Sequence, residues 1–591
     1  MMVKWGCKAE APPKLRLTQT EDILMRNHFK EQIKLFERNF AANCYENFKK
    51  TPADRCACLF SNPLLDYEET SLDSSLIAQA VRGYYVPDTR YYRDPFLLDY
   101  AIALLDEYVK KIHSDGSTDL RQTNFHDPAQ CGFIVRDHLC VIETVYRYSK
   151  HTEKEEILYE KLKDAIRRHG DAMVNLGFHT PNHRWVISAA LSIVYKHTGD
   201  KRYLDTINRF LMEGIDCDEN GEYTERSTGI YNYICDKAFL VMGIYMNDPQ
   251  YFEYARRNLN LMFSYFEPDG TVCTLNSARQ DRNTLRRYSL YYPIYLYLAL
   301  EQKNPEFAYV AENILNEMEE TGGFSPDAID LLMARPEIIE RYGEIEPKAP
   351  AADKSIFLPK SGIARIYKPE KNMTITVMKQ RQPTFLQIQC GSHVLQLRFG
   401  GAFFGDPHSQ FRANSIEQTQ KGFRLIDDEY AGYRSQLDEK PETSDWHRMD
   451  HSKRRMVNIQ EFRTVIDVEI LDDGIALDID SGACEGILTK LEITMDPGGR
   501  YDTEDTMLFA GGGDYAILKK GRALYTFPDK FSFSISGGAY AHSYTKGMRG
   551  TSTPDSGSFT VAVTGETPHK NRVEIRVAEN GYNTERMLGL R

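Results

Sequence analysis

The chain contains none of the short motifs that identify a chemistry on sight. There is no GxGxxG dinucleotide loop, no GxxxxGKS/T phosphate loop, no HExxH zinc pair and no GxSxG nucleophile elbow. The run Gly511, Gly512 and Gly513 lies between β-type segments and does not open a helix. No stretch reaches the ~18–20 consecutive apolar residues that a membrane-spanning helix requires. The 11 cysteines include no CxxC pair and no zinc-finger spacing. Cys56 and Cys58 are one residue apart, and Cys7, Cys44, Cys131, Cys140, Cys217, Cys235, Cys273, Cys390 and Cys484 are scattered. An odd count of scattered thiols suits a reducing compartment.

Positive charge is also scarce. Lys and Arg number 73 against 85 Asp and Glu, a formal net charge of −12. This argues against a general nucleic-acid binder, whose phosphate contacts need a clustered basic face. It leaves room for a locally basic pocket, because net charge averages over the whole surface. Near the N-terminus, Lys8, Glu10 and Lys14 interrupt any apolar core of a signal peptide, so the expected location is cytoplasmic. What is present is ordinary globular composition, 41% hydrophobic and 27% charged. At 591 residues, the chain exceeds the ~250–300 residues at which a single core stops growing, so more than one domain is expected.

Hydrophobic periodicity divides the chain. Residues 96–112, 133–148, 158–174, 184–195, 203–212, 230–244, 251–266, 285–300 and 307–318 place apolar side chains at helical spacing. Turns rich in Gly, Asp, Asn and Pro separate them. Residues 335–353 are rich in Pro, Glu and Lys, and Pro347 and Pro350 oppose a continuing helix, so this is the expected linker. Beyond it the period falls to two, over residues 363–367, 373–378, 385–389, 393–399, 464–470, 474–479, 491–495, 515–518, 531–536, 558–563 and 572–577. The expectation is a helical domain over residues 1–345 and an antiparallel β-sandwich or barrel over residues 346–591.

Four segments of the helical half hold more polar and aromatic residues than packing needs. The first, residues 116–126, includes Asn124 and His126 and also reads as a capping loop before the next helix, which carries Gln130. The second is Asn182, His183 and Arg184 after Pro181, at a helix N-terminus suited to a carboxylate partner. His183 on its own reads equally well as a structural hydrogen-bonding residue. The third, residues 221–233, holds Glu225, Arg226, Tyr231 and Tyr233, and each tyrosine alone reads as a core-edge side chain. The fourth, residues 276–282, holds Arg279, Gln280 and Asp281, either a solvated face or the rim of a cavity. In the β half, His408, His447 and His451 flank Asp406, Asp445 and Asp450 and are the candidate ligands for a structural divalent metal.

The order Asn182–His183, then Glu225 to Tyr231 after a Gly-rich turn, then His393 opening a strand, resembles the heparinase II/III-like superfamily of polysaccharide lyases and the related alginate and oligoalginate lyases. The resemblance spans nearly the whole chain. It implies an incomplete (α/α) toroid followed by an antiparallel β-sandwich, with no required cofactor. It implies an acidic oligo- or polysaccharide as partner, with a homodimer compatible and neither nucleic acid nor membrane involved. Asn182 and His183 match the pair that contacts the substrate carboxylate, Tyr231 matches the catalytic tyrosine with Tyr233 as alternate, and His393 matches the histidine of the first conserved sandwich strand. The family often carries a second histidine, a structural zinc ligand, two positions on. Here that position is Leu395, so the zinc site is not carried over.

The implied reaction is β-elimination at a uronic acid. A base takes the C5 proton, the C4–O4 bond breaks, and an unsaturated uronate remains. Charge builds on the carboxylate, so donors must be aimed there, with Asn182, His183 and Arg184 as candidates. Proton transfer needs groups within ~2.6–3.2 Å of the reacting atoms, and Tyr231 and His393 are the candidates for acid and base. Asn124, His126, Gln130, Arg184, Glu225, Arg226, Tyr233, Arg279, Gln280 and Asp281 are the expected sugar-binding rim. With no leader read from the sequence, an exo-acting enzyme that trims imported oligosaccharides is expected. Two alternatives stand beside it. A hydrolase on a helical toroid would need a carboxylate pair drawn from Glu222, Glu225, Glu267, Asp269 and Asp281. A non-catalytic carbohydrate-binding protein could keep the scaffold without the chemistry.

Overall fold

The computed structural model describes residues 24–55, 70–351, 353–379, 382–545 and 547–578. Cys7, Cys56 and Cys58 lie outside the described residues, as does the N-terminal segment read above for a leader. One compact unit comprises the described residues up to Phe266 together with Gly270 to 351; the other comprises Glu267–Asp269 and the chain from Asp353 onward.

The first unit is helical, and its helices start where side-chain caps dictate. Thr152 and Glu155 form a reciprocal capping box at the head of Glu153–Asn175, and Asp127 caps Pro128–Asp137 with Pro at the first position. Pro181–Thr198 is buried nearly all round, including Trp185, Ile187, Leu191 and Val194. It packs on Pro128–Asp137, Glu153–Asn175, Lys201–Met212 and Tyr231–Tyr245. Lys201–Met212, by contrast, buries only Tyr203, Thr206 and Ile207, the narrow stripe of an outer helix.

Two expected helices differ. Residues 133–148 are broken at His138, whose backbone leaves the helical region and whose ring is held by Ser74 Oγ at 2.8 Å. The helix expected from residue 285 begins only at Tyr292, after a 3₁₀ turn. Pro293 lacks the N–H that an interior position would donate, so it belongs in the first turn. The helices His28–Phe40, Thr70–Tyr85 and Pro326–Ala334 were not among those expected. Within residues 335–353, Pro336–Glu344 is a 3₁₀ run held to the helical unit by Arg341 donating to the carbonyl of Glu301 at 3.0 Å.

The second unit is a two-sheet β-sandwich. Among the described residues one sheet has eight strands, with His393–Gly401 between Thr384–Cys390 and Leu488–Met495. The other has nine, with Gly422–Arg434, Met456–Ile470, Gly474–Ala483 and His569–Ala578 adjacent in that order. Inward residues of both sheets, among them Leu395, Leu397, Phe399, Leu477 and Ile575, share one core. Among the described residues pairing is antiparallel, as expected, apart from the short strand Tyr515–Ile517, which runs parallel to Phe559–Glu566. All cysteines among the described residues are free, and no described helix is long and apolar enough to cross a membrane.

Leu397 is fully buried in the central strand of the eight-stranded sheet. Leu397→Ala is expected to destabilise the sandwich by about 2–5 kcal/mol. A denaturant midpoint unchanged from wild type would contradict this packing.

Candidate functional site

The site is built outward from one turn. Asp218 Oδ1 accepts the backbone N–H groups of Asn220 and Glu222, each at 2.9 Å. Gly221 has φ +86° and approaches so closely that a Cβ there would sit 2.3 Å from the Arg257 carbonyl oxygen. Only glycine fits both constraints. The turn delivers Glu225, which is 5% exposed. Its Oε2 accepts from Asn182 Nδ2 at 2.8 Å, and its Oε1 lies 3.4 Å from Arg279 Nε. Burial pushes the Glu225 carboxyl up, opposed by Asn182 and Arg279.

Arg279 lays its guanidinium 4.8 Å from the centre of the Tyr231 ring. Gln280 Nε2 donates to Tyr231 Oη at 2.6 Å, while the Tyr231 backbone N–H donates to Ser227 Oγ at 3.0 Å. Tyr231 is the first residue of Tyr231–Tyr245, so its ring stands where that helix meets two loops. Those loops are tied together by the fully buried Asp281, which accepts the Gly229 N–H at 3.0 Å and the Ser277 hydroxyl.

His183 occupies the first turn of Pro181–Thr198. Its Nδ1 accepts the His179 backbone N–H at 3.4 Å, which places the ring proton on Nε2. Burial brings its pKa down to about 4, with Asp127 opposing and His179 and Arg279 reinforcing the shift. It is therefore a neutral N–H donor at pH 7. Asp127 caps its own helix through Ala129 N–H at 2.9 Å and accepts from Asn124 Nδ2, also at 2.9 Å. Gln130 lies in the first turn of that helix.

The structure thus links Asn182, Glu225, Arg279, Tyr231 and Gln280 by direct contacts, while Asp281 braces the two loops through Gly229 and Ser277; Asp127 bonds Asn124 and, like Arg279, acts on His183 through its charge. Four expected site residues are engaged elsewhere. Arg184 reaches Glu213 at 3.0 Å and Asp216 at 3.4 Å and stacks over Trp185, so it does not turn toward Tyr231. Tyr233 donates to Asp327, within a buried network in which Lys237 bridges Asp327 at 2.7 Å and Asp137 at 2.8 Å. His126 is held by Asp115 at 2.7 Å and stacks on His113. Arg226 sits at φ +50° and its backbone N–H donates to the Tyr223 carbonyl at 3.0 Å. Asn182 is fully buried, and its NH2 donates to Glu225 and Thr180. Its amide fixes Glu225 instead of facing open space.

Asp127 escaped the sequence reading, and Ser227, within the segment 221–233, was given no role. The Asp-Pro pair at 127–128 is a helix-start signal that would have placed the first. Nothing local marks the second. In the β unit, His393 Nε2 lies 2.8 Å from Asp529 Oδ2, and the ring packs against Phe527 and Phe531.

The proposed metal ligands do not converge. His408 Nδ1 pairs with Glu429 at 2.6 Å. His451 Nε2 donates to the Trp446 carbonyl at 2.7 Å, and its Nδ1 accepts from Arg454. Asp445 and Asp450 cap the single turns Trp446–Arg448 and His451–Lys453, and Asp406 pairs with Arg412. Among the described residues, no group of three or more His, Cys, Asp or Glu side chains is arranged to hold a metal ion.

The folded pKa of His183, about 4, lies below the ~6.5 of an unfolded histidine. Its contribution to stability is therefore complete above ~6.5 and lost as the pH falls through about 4. Histidine NMR is expected to show His183 neutral, with its proton on Nε2, down to about pH 4. A titration near 6.5 would contradict the site.

No protein-family profile matches the chain, and no curated protein sequence matches it either. Solved structures do. A heparinase III aligns with a TM-score of 0.52 at 11% identity, covering 96% of this chain and 87% of its own. A heparan sulfate lyase from Pedobacter heparinus, in a mutant form, aligns with a TM-score of 0.51 at 10% identity, covering 88% and 79%. A xanthan lyase from Paenibacillus aligns with a TM-score of 0.54 at 10% identity, covering 93% of this chain and 60% of its own. In fold, the chain is similar to the heparinase-type polysaccharide lyases.

Proposed function

We propose that this chain is a lyase that cleaves a uronic-acid glycosidic bond by β-elimination and leaves a 4,5-unsaturated uronate on an acidic oligo- or polysaccharide. The observation that carries the reading is Tyr231. Gln280 donates to its oxygen, so that bond uses a lone pair and leaves the phenolic proton for a substrate oxygen. Arg279 sits over its ring, and a cation there stabilises negative charge that forms on the phenolate.

Elimination has two charge problems. The C5 proton leaves a carbon next to a carboxylate, and the bond electrons flow into that group. His183 offers an Nε2–H donor without adding a charge of its own. Arg279, its Nε turned to Glu225, keeps its outer nitrogens for the carboxylate. The C4–O4 bond then breaks and O4 takes a proton, for which the Tyr231 hydroxyl is suited. When proton and leaving group share a face, the tyrosinate takes the C5 proton and returns it to O4. The sequence-based candidate for a separate base, His393, belongs to the β unit. What favours Tyr231 is that His393 Nε2 is engaged by Asp529.

The hydrolase alternative is less well supported. Of the carboxylates that the Tyr231 loops contribute, Glu225 and Asp281 are buried and already engaged. Glu267 is buried and ion-paired to Arg365 within the β unit. A glycosidase needs a pair free to meet water and the leaving group.

A panel of uronic-acid oligosaccharides, followed by ultraviolet absorbance, tests the proposal. One member is expected to yield an absorbing product, and Tyr231→Phe is expected to lower that rate at least ~100-fold with circular dichroism unchanged. A fully active Tyr231→Phe variant would overturn the assignment. Binding of an acidic glycan with no turnover on any member would favour the non-catalytic reading.

A further inference from the structure

The sequence reading puts Asp281 on the sugar-binding rim, yet the side chain is fully buried. It therefore meets no substrate, and its partners show what it does instead. Its Oδ2 accepts the Gly229 N–H at 3.0 Å, and its Oδ1 accepts the Ser277 hydroxyl. Both donors are uncharged.

These two bonds join the loops that meet at Tyr231. Gly229 lies two residues before Tyr231, and Ser277 lies two before Arg279. The two residues directly before Asp281 make the contacts to the Tyr231 side chain: Arg279 lies over its ring and Gln280 bonds its oxygen. The loops approach closely here. A Cβ on Gly229 would lie 2.9 Å from Asp281 Oδ2 and 2.6 Å from Arg286 Cγ, so a glycine is what lets them touch. Two further straps flank the clamp. The Ala278 N–H donates to the Glu225 carbonyl at 3.0 Å, and Thr228 Oγ1 donates to the Cys273 carbonyl at 2.6 Å. Asp281 is itself held from behind, its carbonyl accepting the Thr284 N–H at 3.0 Å and the Thr284 hydroxyl at 2.7 Å.

A carboxylate brings two acceptor oxygens and no donor, which matches two donors arriving from two loops. The match does not require charge. An asparagine in the same place would accept the Gly229 N–H through Oδ1 and donate through Nδ2 to Ser277 Oγ. That oxygen already accepts the Arg279 backbone N–H at 3.1 Å, and a hydroxyl has a second lone pair to offer. An alanine would leave the Gly229 N–H and the Ser277 hydroxyl buried without this acceptor.

We propose that Asp281 is a positioning residue for Tyr231, clamping the Arg279–Gln280 loop onto the start of the Tyr231 helix through hydrogen bonds and not through charge. Its bearing on rate rests on the lyase reading; the clamp itself does not. A misplacement of about 1 Å at a reacting group can cost ~100-fold in rate, and loosening this clamp moves Tyr231 relative to both of its neighbours.

Two readouts test the proposal. In NMR of protein labelled at tyrosine Cζ, the Tyr231 resonance is identified by its loss in Tyr231→Phe. It is expected to move in Asp281→Ala, as Gln280 and Arg279 shift, and to return to the wild-type position in Asp281→Asn. On the uronic-acid oligosaccharide that the wild type cleaves, Asp281→Ala is expected to lower kcat at least ~10-fold, a larger change than in KM. Asp281→Asn is expected to recover most of that loss. Ser277→Ala removes one of the two donors and is expected to give a smaller shift and a smaller drop in kcat, which keeps the test open where Asp281→Ala does not fold.

A Tyr231 resonance unmoved in both alanine variants would overturn the proposal. So would an Asp281→Asn variant as impaired as Asp281→Ala, since charge or proton transfer would then be the role of Asp281. A wild type that cleaves no uronate, but shows the alanine shift and its asparagine rescue, would sink the lyase reading and leave the clamp standing.

Discussion

A carboxylate removed from water must be met by donors, and the arrangement at Glu225 follows from that requirement. Taking the ion out of water costs several kcal/mol, which only close, well-aimed partners offset. Asn182 and Arg279 are those partners. Because Arg279 is drawn to Glu225, its guanidinium lies over Tyr231. Because the neighbouring Gln280 travels on the same loop, its amide reaches the Tyr231 oxygen. Asn182, fixed from the other side, sets the first turn of the helix that carries His183. The group holding the site together is thus not one expected to react.

Several parts of this were legible in the sequence. Helices with a strong amphipathic pattern and a good cap were placed within a few residues: residues 203–212 were expected, and Lys201–Met212 is observed behind an Asp200 cap. The change of period marked where helices give way to strands. The strand Gly422–Arg434 escaped notice because its outer half faces water on both sides and its alternation fades. The break at His138 depends on Ser74, 64 residues away in sequence, which no window spans.

The site shows the same division. Tyr231 and His183 were named from motif position, and their neighbours bear on their chemistry. Asn182 and Arg184 were adjacent in the same motif, yet one is buried against Glu225 and the other turns to Glu213 and Asp216. A helix start fixes which side chains are near its N-terminus, but not which face each one takes. That is settled by partners brought from distant segments, and the sequence does not reveal their distance. Tyr233 likewise belongs to the buried Asp327 and Lys237 network, although it lies two residues from Tyr231.

The central claim is a reaction class, and the mass balance of one cleavage tests it most directly. Elimination transfers a proton from C5 to O4 and adds no water, so the masses of the two products sum to that of the substrate. Hydrolysis adds one water. The account predicts that the products of a cleaved uronic-acid oligosaccharide sum to the substrate mass, with the new non-reducing end unsaturated. A sum larger by one water, with no unsaturated end, would contradict it.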